Sequence, residues 1–165
     1  MKSKKTVFLT GASGNMGYAG LKQLLERREH FNIVALVLPT EQDKSIMSPY
    51  EKDPGVKIIW GDLTNYDDVL RGVEGADYVL HVGGLVSPTA DYRPELTTQV
   101  NVGAVKNIIK AIKAQPNPDG IKLVYIGTVA ETGDRNPPIH WGRTGDPINI
   151  SVYDNYAISK TIAER

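Results

Sequence analysis

Tyr156-Ala157-Ile158-Ser159-Lys160 places a phenol and an ammonium four residues apart, on one face of any helix that contains them. A phenol with the usual pKa near ~10 exchanges protons poorly at neutral pH. A neighbouring cation favours the phenolate and lets it trade a proton with an alcohol or carbonyl oxygen. Taken alone the pair is common, and its plain alternative is an exposed polar pair. A second stretch gives it company: Thr10-Gly11-Ala12-Ser13-Gly14-Asn15-Met16-Gly17. There Gly11 permits a sharp turn, Gly14 lets backbone approach a pyrophosphate, and Gly17 lets a helix pack closely on a strand. A helix starting at that point offers free N–H groups and partial positive charge to the anion. With 16 glycines in 165 residues such spacing also arises by chance. The flanking elements therefore decide between a dinucleotide cradle and an ordinary glycine-rich turn.

Those elements are present. Thr6-Val7-Phe8-Leu9 reads as a buried strand, and Leu21, Leu24 and Leu25 recur at helical spacing up to about Arg28. Ile33 to Leu38 is a continuous apolar run ended by Pro39, as suits a parallel strand covered on both faces. Residues 39–55 read as a surface loop holding at most a short helix. Val56 to Trp60 is a third strand, after which Thr64 or Asn65 can cap a helix through about Gly72. Tyr78 to Val82 is a fourth strand ended by Gly83-Gly84. A long helix is expected from near Ala90 to Ala114, its buried stripe marked by Leu96, Val100, Ala104, Ile108 and Ile112. Leu123 to Ile126 is a fifth strand, residues 132–151 form a long irregular loop, and a final helix begins at Val152. Strands alternating with helices define an α/β fold: a parallel, doubly wound sheet of Rossmann type with helices on both faces.

Composition narrows the function. The chain of 165 residues suits one domain, and its 19 acidic and 19 basic side chains cancel. No basic stripe appears, so nucleic acid and anionic membrane are poor partners and a small-molecule substrate is expected. Without cysteine there are no disulfides, thiolate zinc sites or cysteine nucleophiles, which fits the cytoplasm; no metal site is expected. Met1-Lys2-Ser3-Lys4-Lys5 is basic but lacks the apolar stretch of a signal peptide, and no transmembrane span is expected.

With these motifs in this order, the chain resembles the extended short-chain dehydrogenases/reductases, in particular the NAD-dependent epimerase/dehydratase group, over essentially its whole length. Thr10 to Gly17 matches that family's TGxxGxxG pattern, Asp62-Leu63 its acidic pair after the third strand, and Tyr156 with Lys160 its YxxxK pair. Gly127-Thr128 through Gly133 resembles the segment carrying the catalytic Ser or Thr, and Asn101 falls where the family keeps an asparagine on its long helix.

The resemblance implies roles. Tyr156 would be the general acid/base, Lys160 would hold the nicotinamide ribose and favour the phenolate, and Thr128 would hydrogen-bond the reacting oxygen. Asn101 joins them as a proton relay, or else bonds nearby backbone. Gly11, Ser13, Gly14, Asn15, Met16, Gly17, Asp62, Leu63, Val82, Gly83 and Gly84 would contact the cofactor, with Tyr156 and Lys160. Two alternatives stay open: Asp62 caps the following helix, and the Thr128 hydroxyl is satisfied by backbone.

Three departures matter. Gly83-Gly84 replaces a common alanine pair, and His81 beside it reads as a structural histidine. At the end of the second strand Leu38-Pro39-Thr40-Glu41 carries neither the usual ribose-binding acid nor a phosphate-binding arginine. NAD and NADP therefore both remain open, with Glu41 and Lys44 as the charges at hand. The third departure is length, since extended members carry a further C-terminal portion that supplies most of the substrate site. The expectation is thus an NAD(P)-binding Rossmann domain over 1–165 from a longer protein. Arg135, His140, Trp141 and Arg143 are its own candidate substrate contacts. The implied activity is epimerase/dehydratase hydride transfer, on a nucleotide sugar for instance, with a homodimer as the oligomer considered. Two alternatives are an alcohol dehydrogenase or carbonyl reductase, as in steroid- or flavonoid-reducing relatives, and a non-catalytic nucleotide sensor.

Overall fold

The computed structural model describes residues 4–133, 148, 150 and 152–165. The candidate contacts Arg135, His140, Trp141 and Arg143 lie outside the described residues. The chain divides into two compact units, one of residues up to Gly83 with Lys106–Ile126, the other of Gly84–Val105 with the residues from Gly127 on.

The first unit holds the whole sheet. Strands β1 (Lys5–Thr10), β2 (Phe31–Val37), β3 (Val56–Trp60), β4 (Tyr78–His81) and β5 (Lys122–Tyr125) run parallel in the order β3-β2-β1-β4-β5. Helices α1 (Asn15–Leu25), α2 (Glu41–Met47) and α3 (Tyr66–Val73) connect them. The continuous apolar runs are explained by two cores, one on each face. Phe8, Val34, Leu36, Ile59 and Val79 pack against Val69 and Val73 of α3 and against Ile108 and Ala111. Their strand neighbours Leu9, Ile33, Ala35 and Val37 point the other way, toward Ala12, Leu21 of α1 and Met47 of α2. Both faces are covered, so β2 has no polar alternation to show. The edge strand β5 is different: its Leu123 and Val124 are 36% and 46% exposed.

The expected long helix is broken in two, as α4 (Thr89–Tyr92) and α5 (Pro94–Lys113). Proline disfavours the helical conformation at the residue before it, and Arg93 accordingly adopts φ −135°, ψ 63°. Pro94 then opens α5 at the one position where its missing N–H costs nothing. The buried stripe also differs from the expected residues four apart. It runs Thr97, Asn101, Ala104, Ile108, Ala111, alternating steps of four and three to keep pace with 3.6 residues per turn. A strict step of four drifts around the helix, which leaves Leu96, Val100 and Ile112 only partly buried.

Two other boundaries move inward. α1 stops at Leu25, and the final helix α6 (Asn155–Glu164) begins three residues later than expected, with Val152 and Tyr153 in a turn. Asp154 sets that start, because its side chain accepts the Ala157 N–H at 2.8 Å.

Candidate functional site

In the first unit the chain leaves β1 toward β2 on one side and later returns on the other side as β4. The carboxyl ends of β1 and β4 flank the point where the winding reverses, the place where open α/β sheets bind ligands. Thr10 and His81, the last residues of the two strands, are register partners there. Immediately beyond, Gly11 adopts φ +70° and the Gly14 N–H closes the turn on Gly11 O at 3.0 Å. A side chain at Gly11 would meet the Gly83 backbone at 2.7 Å, and one at Gly17 would meet Gly11 O at 1.9 Å. Two backbone segments and the start of α1 are therefore held at distances that only glycine permits.

The start of α1 differs from those of α2, α3 and α6. α2, α3 and α6 each begin at a residue whose side chain accepts a first-turn N–H: Thr40, Asn65 and Asp154. α1 begins at Gly14, with no side-chain cap and no acidic residue in its first turn. Its first-turn N–H groups thus have no side-chain acceptor among the described residues, and the positive end of the helix dipole lies there, an arrangement that suits an anion.

Beneath the turn, Thr10 organises the two strand ends. Its buried Oγ1 accepts the Val82 N–H at 3.1 Å and the Gly83 N–H at 3.0 Å, and lies 2.8 Å from His81 Nδ1. With its lone pairs so engaged, the hydroxyl donates its own proton to Nδ1, and His81 carries its proton on Nε2. His81 is 2% exposed and its ring lies against Tyr125, the structural histidine that its apolar neighbours suggest.

Leu63 approaches the same backbone, its Cδ1 standing 2.9 Å from where a Gly83 Cβ would be. Asp62 Oδ1 accepts the Thr64 N–H at 2.8 Å, while α3 takes its cap from Asn65. Asp62 thus shapes the turn before the helix and does not cap it. At the end of β2, Thr40 caps α2, and Glu41 and Lys44 pair with each other at 3.0 Å. The first unit thus brings together Gly11, Ser13, Gly14, Asn15, Met16, Gly17, Leu63, Val82 and Gly83, with Asp62 just beyond the end of β3.

The second unit holds Gly84, Asn101, Thr128, Tyr156 and Lys160. Asn101, 3% exposed, accepts the Leu85 N–H at 2.8 Å and donates to Leu85 O at 3.0 Å and to Ser159 Oγ at 2.9 Å. Gly84 makes room for it, since a Cβ there would stand 2.8 Å from Asn101 Oδ1. Ser159 Oγ donates in turn to Tyr156 O at 2.8 Å, so the turn of α6 bearing the Tyr/Lys pair is tied to α5. Nothing in the sequence singled out Ser159; only its position three residues after Tyr156 hinted at a backbone bond.

Thr128 starts a short 3-10 turn, Val129–Thr132, and its Oγ1 accepts the Ala130 N–H at 3.3 Å. The backbone alternative for this hydroxyl is therefore part of what it does, and among the described residues no acceptor takes its own proton. Tyr156 is half-buried and Lys160 is 8% exposed, one helical turn further on. Burial pushes the Lys160 ammonium down to about 8, against the opposing pull of the Glu131 and Glu164 carboxyls. An ammonium so poised still carries its charge at neutral pH.

Topology, turn and reversal point define a doubly wound α/β domain of the Rossmann type. The family described as "NAD dependent epimerase/dehydratase family" matches residues 7–165, and the chain belongs to it. UDP-glucose 4-epimerase of Rickettsia bellii (strain RML369-C) is 26% identical over 110 residues, 65% of this chain and 32% of that protein. The enzyme of the same name from Rickettsia canadensis is 29% identical over the same shares.

Among solved structures, Bordetella bronchiseptica WbmH in complex with NAD+ aligns at TM-score 0.80 and 22% identity, over 98% of this chain and 51% of that one. The UDP-Glc/GlcNAc 4-epimerase of Campylobacter jejuni aligns at TM-score 0.80 and 18% identity, over 97% and 47%. The chain thus spans about a third of the curated relatives and about half of these structures. Among the described residues, no helix is long and apolar enough to cross a membrane.

Proposed function

We propose that residues 1–165 are the NAD-binding Rossmann portion of an epimerase/dehydratase-type oxidoreductase acting on a nucleotide sugar. The observation that carries the reading is the first turn of α1, which has no side-chain cap and no acid, in a chain of this family. The pyrophosphate of the cofactor would lie on the N–H groups of that turn, with Ser13, Asn15 and Met16 around it and Val82 and Gly83 beside it. Asp62 and Leu63 would meet the adenine end, and Gly84 would leave room near the nicotinamide. NAD is favoured over NADP because the end of β2 offers Glu41 and no arginine, and because WbmH was crystallised with NAD+.

NAD, when bound, supplies the hydride chemistry by accepting a hydride from a substrate carbon and returning it. The chain's own residues handle the proton. Tyr156 takes it from the substrate hydroxyl as the hydride leaves, and gives it back when the carbonyl is reduced. Lys160 binds the nicotinamide ribose and favours the phenolate by its charge. Thr128 donates its hydroxyl proton to the reacting oxygen. Asn101, committed to Leu85 and Ser159, is better suited to positioning than to relaying protons. The substrate-binding remainder belongs to the length that the relatives have and this chain does not span.

The test is cofactor balance. The full-length protein is given NAD and UDP- or dTDP-hexoses, with sugar products and NADH followed together. Conversion of the sugar without net NADH supports the proposal. Stoichiometric consumption of NAD(P)H with a carbonyl compound would make it a reductase, and NAD binding without any turnover would make it a sensor.

A further inference from the structure

Glu131 is an acid that the proposed chemistry does not use, placed among the residues that it does use. It is 7% exposed, and its Oε1 is buried with no hydrogen-bond partner among the described residues. An ionised carboxylate oxygen buried without a donor is strongly disfavoured. The Glu164 carboxyl of α6 is close enough to act on the Glu131 carboxyl and to favour its protonated form. The two groups converge over Gly127, where an added Cβ would stand 3.6 Å from Glu164 Oε2 and 3.8 Å from Glu131 Oε1. Two carboxylates have no donor between them, so a bond here requires a proton on one. The other groups acting on Glu131 are the Thr128 backbone and the Lys160 ammonium of α6, both of which favour its ionised form.

We propose that Glu131 is a positioning residue. It carries a proton at neutral pH and donates it to the exposed Glu164 carboxylate, so a single negative charge faces the Lys160 ammonium while the Thr128 backbone is held in place. The roles of Lys160 and Thr128 rest on the function proposed above; the shared proton does not. Its location on Glu131 follows from burial, since Glu131 is buried and Glu164 is exposed. Burial is also the largest influence on the Glu131 carboxyl, pushing it above the usual carboxylate range, with Glu164 next; Thr128 and Lys160 oppose them more weakly.

The test uses E131Q and E131L in the full-length protein. Glutamine reproduces a neutral acid, with an N–H for Glu164 and an oxygen for the Thr128 backbone; leucine reproduces neither. The first readout needs no activity. A carboxyl whose folded-state pKa is raised keeps its proton longer in the folded than in the unfolded chain, so the wild type loses stability as pH rises above the ordinary value of 4.5. The melting temperature of E131Q relative to wild type therefore climbs as pH rises from about 4.5 to neutrality. A flat or falling difference overturns the proposal, because an ionised Glu131 paired with Lys160 has its full stabilisation above the ordinary value and leaves the difference flat.

The second readout is catalysis. E131L loses about tenfold or more in kcat/KM, E131Q restores it to within about threefold of wild type, and the alkaline limb of the E131Q pH profile stays in place. A limb displaced to lower pH, or E131Q as impaired as E131L, overturns the proposal. If the wild type turns over no nucleotide sugar, the function has failed, and the melting comparison still decides where the proton lies.

Discussion

Gly17→Ala and Gly20→Ala are the same chemical change, three residues apart on α1, with opposite expected effects. In a helix interior alanine is favoured over glycine by about 0.5–1 kcal/mol. At Gly20 nothing lies within 4 Å of an added Cβ, so the full gain is expected there. At Gly17 the Cβ would stand 1.9 Å from Gly11 O and 2.5 Å from Gly11 C, whereas real Cβ atoms essentially never come within 3.0 Å of such neighbours. The helix and the turn must part by at least 3.0 − 1.9 = 1.1 Å, and both sides of the contact are backbone, so no flexible side chain can absorb the shift.

Overpacking of this kind costs about 1–3 kcal/mol. Against the propensity gain, Gly17→Ala is expected to be destabilised by roughly 1–2 kcal/mol, some 2–3 kcal/mol below Gly20→Ala. Thermal and urea unfolding of the two variants beside wild type measures the difference. The displaced turn should also bind NAD about tenfold more weakly, since about 1.4 kcal/mol corresponds to tenfold in affinity. A Gly17→Ala protein that melts at or above the wild-type temperature, with NAD affinity intact, would refute the close-contact argument.

Two further perturbations probe the two units separately. Thr10→Val keeps the shape but removes the acceptor of two backbone N–H groups and the donor to His81 Nδ1. With about 1–3 kcal/mol for each polar group left unsatisfied, unfolding in urea should show a loss of about 3 kcal/mol or more, and a loss under 1 kcal/mol would contradict the assigned network. Lys160, pushed down to about 8 by burial, should set the alkaline limb of kcat. Above that pH its cation is lost, and the rate falls as support for the Tyr156 phenolate goes with it. Stability should move the opposite way, because between about 8 and 10.5 the unfolded chain holds the lysine proton that the folded chain has released. A rate profile flat to pH 10 would remove Lys160 from the proposed role.

The parallel sheet was legible because burial on both faces leaves an unmixed apolar run, as in Ile33 to Val37, and because glycines or prolines end such runs. The turn from Gly11 to Gly17 was legible for a related reason: its close contacts are backbone contacts that exclude side chains, and that exclusion shows directly as glycine. Asn65 was one of two residues expected to cap α3, and it does so.

What was missed depends on neighbours distant in sequence. The buried face of α5 is set by what it packs against, so Thr97 and Asn101 lie inside while Leu96 stays at the margin. Ser159 matters through Asn101, 58 residues away, and Glu131 through Glu164 and Lys160. None of these pairings leaves a pattern in the chain. The break before Pro94 was readable locally, since every residue of the expected apolar stripe, from Leu96 on, lies after it.

The central claim is that a phenol at position 156 moves the proton in a reaction whose hydride is carried by NAD. Tyr156→Phe in the full-length protein, assayed with a UDP- or dTDP-hexose alongside an NAD titration, tests it most directly. Turnover is expected to fall by about 10²–10⁴, the usual contribution of a positioned general acid/base, with NAD affinity within a few-fold of wild type. Near-normal turnover in that variant would contradict the account.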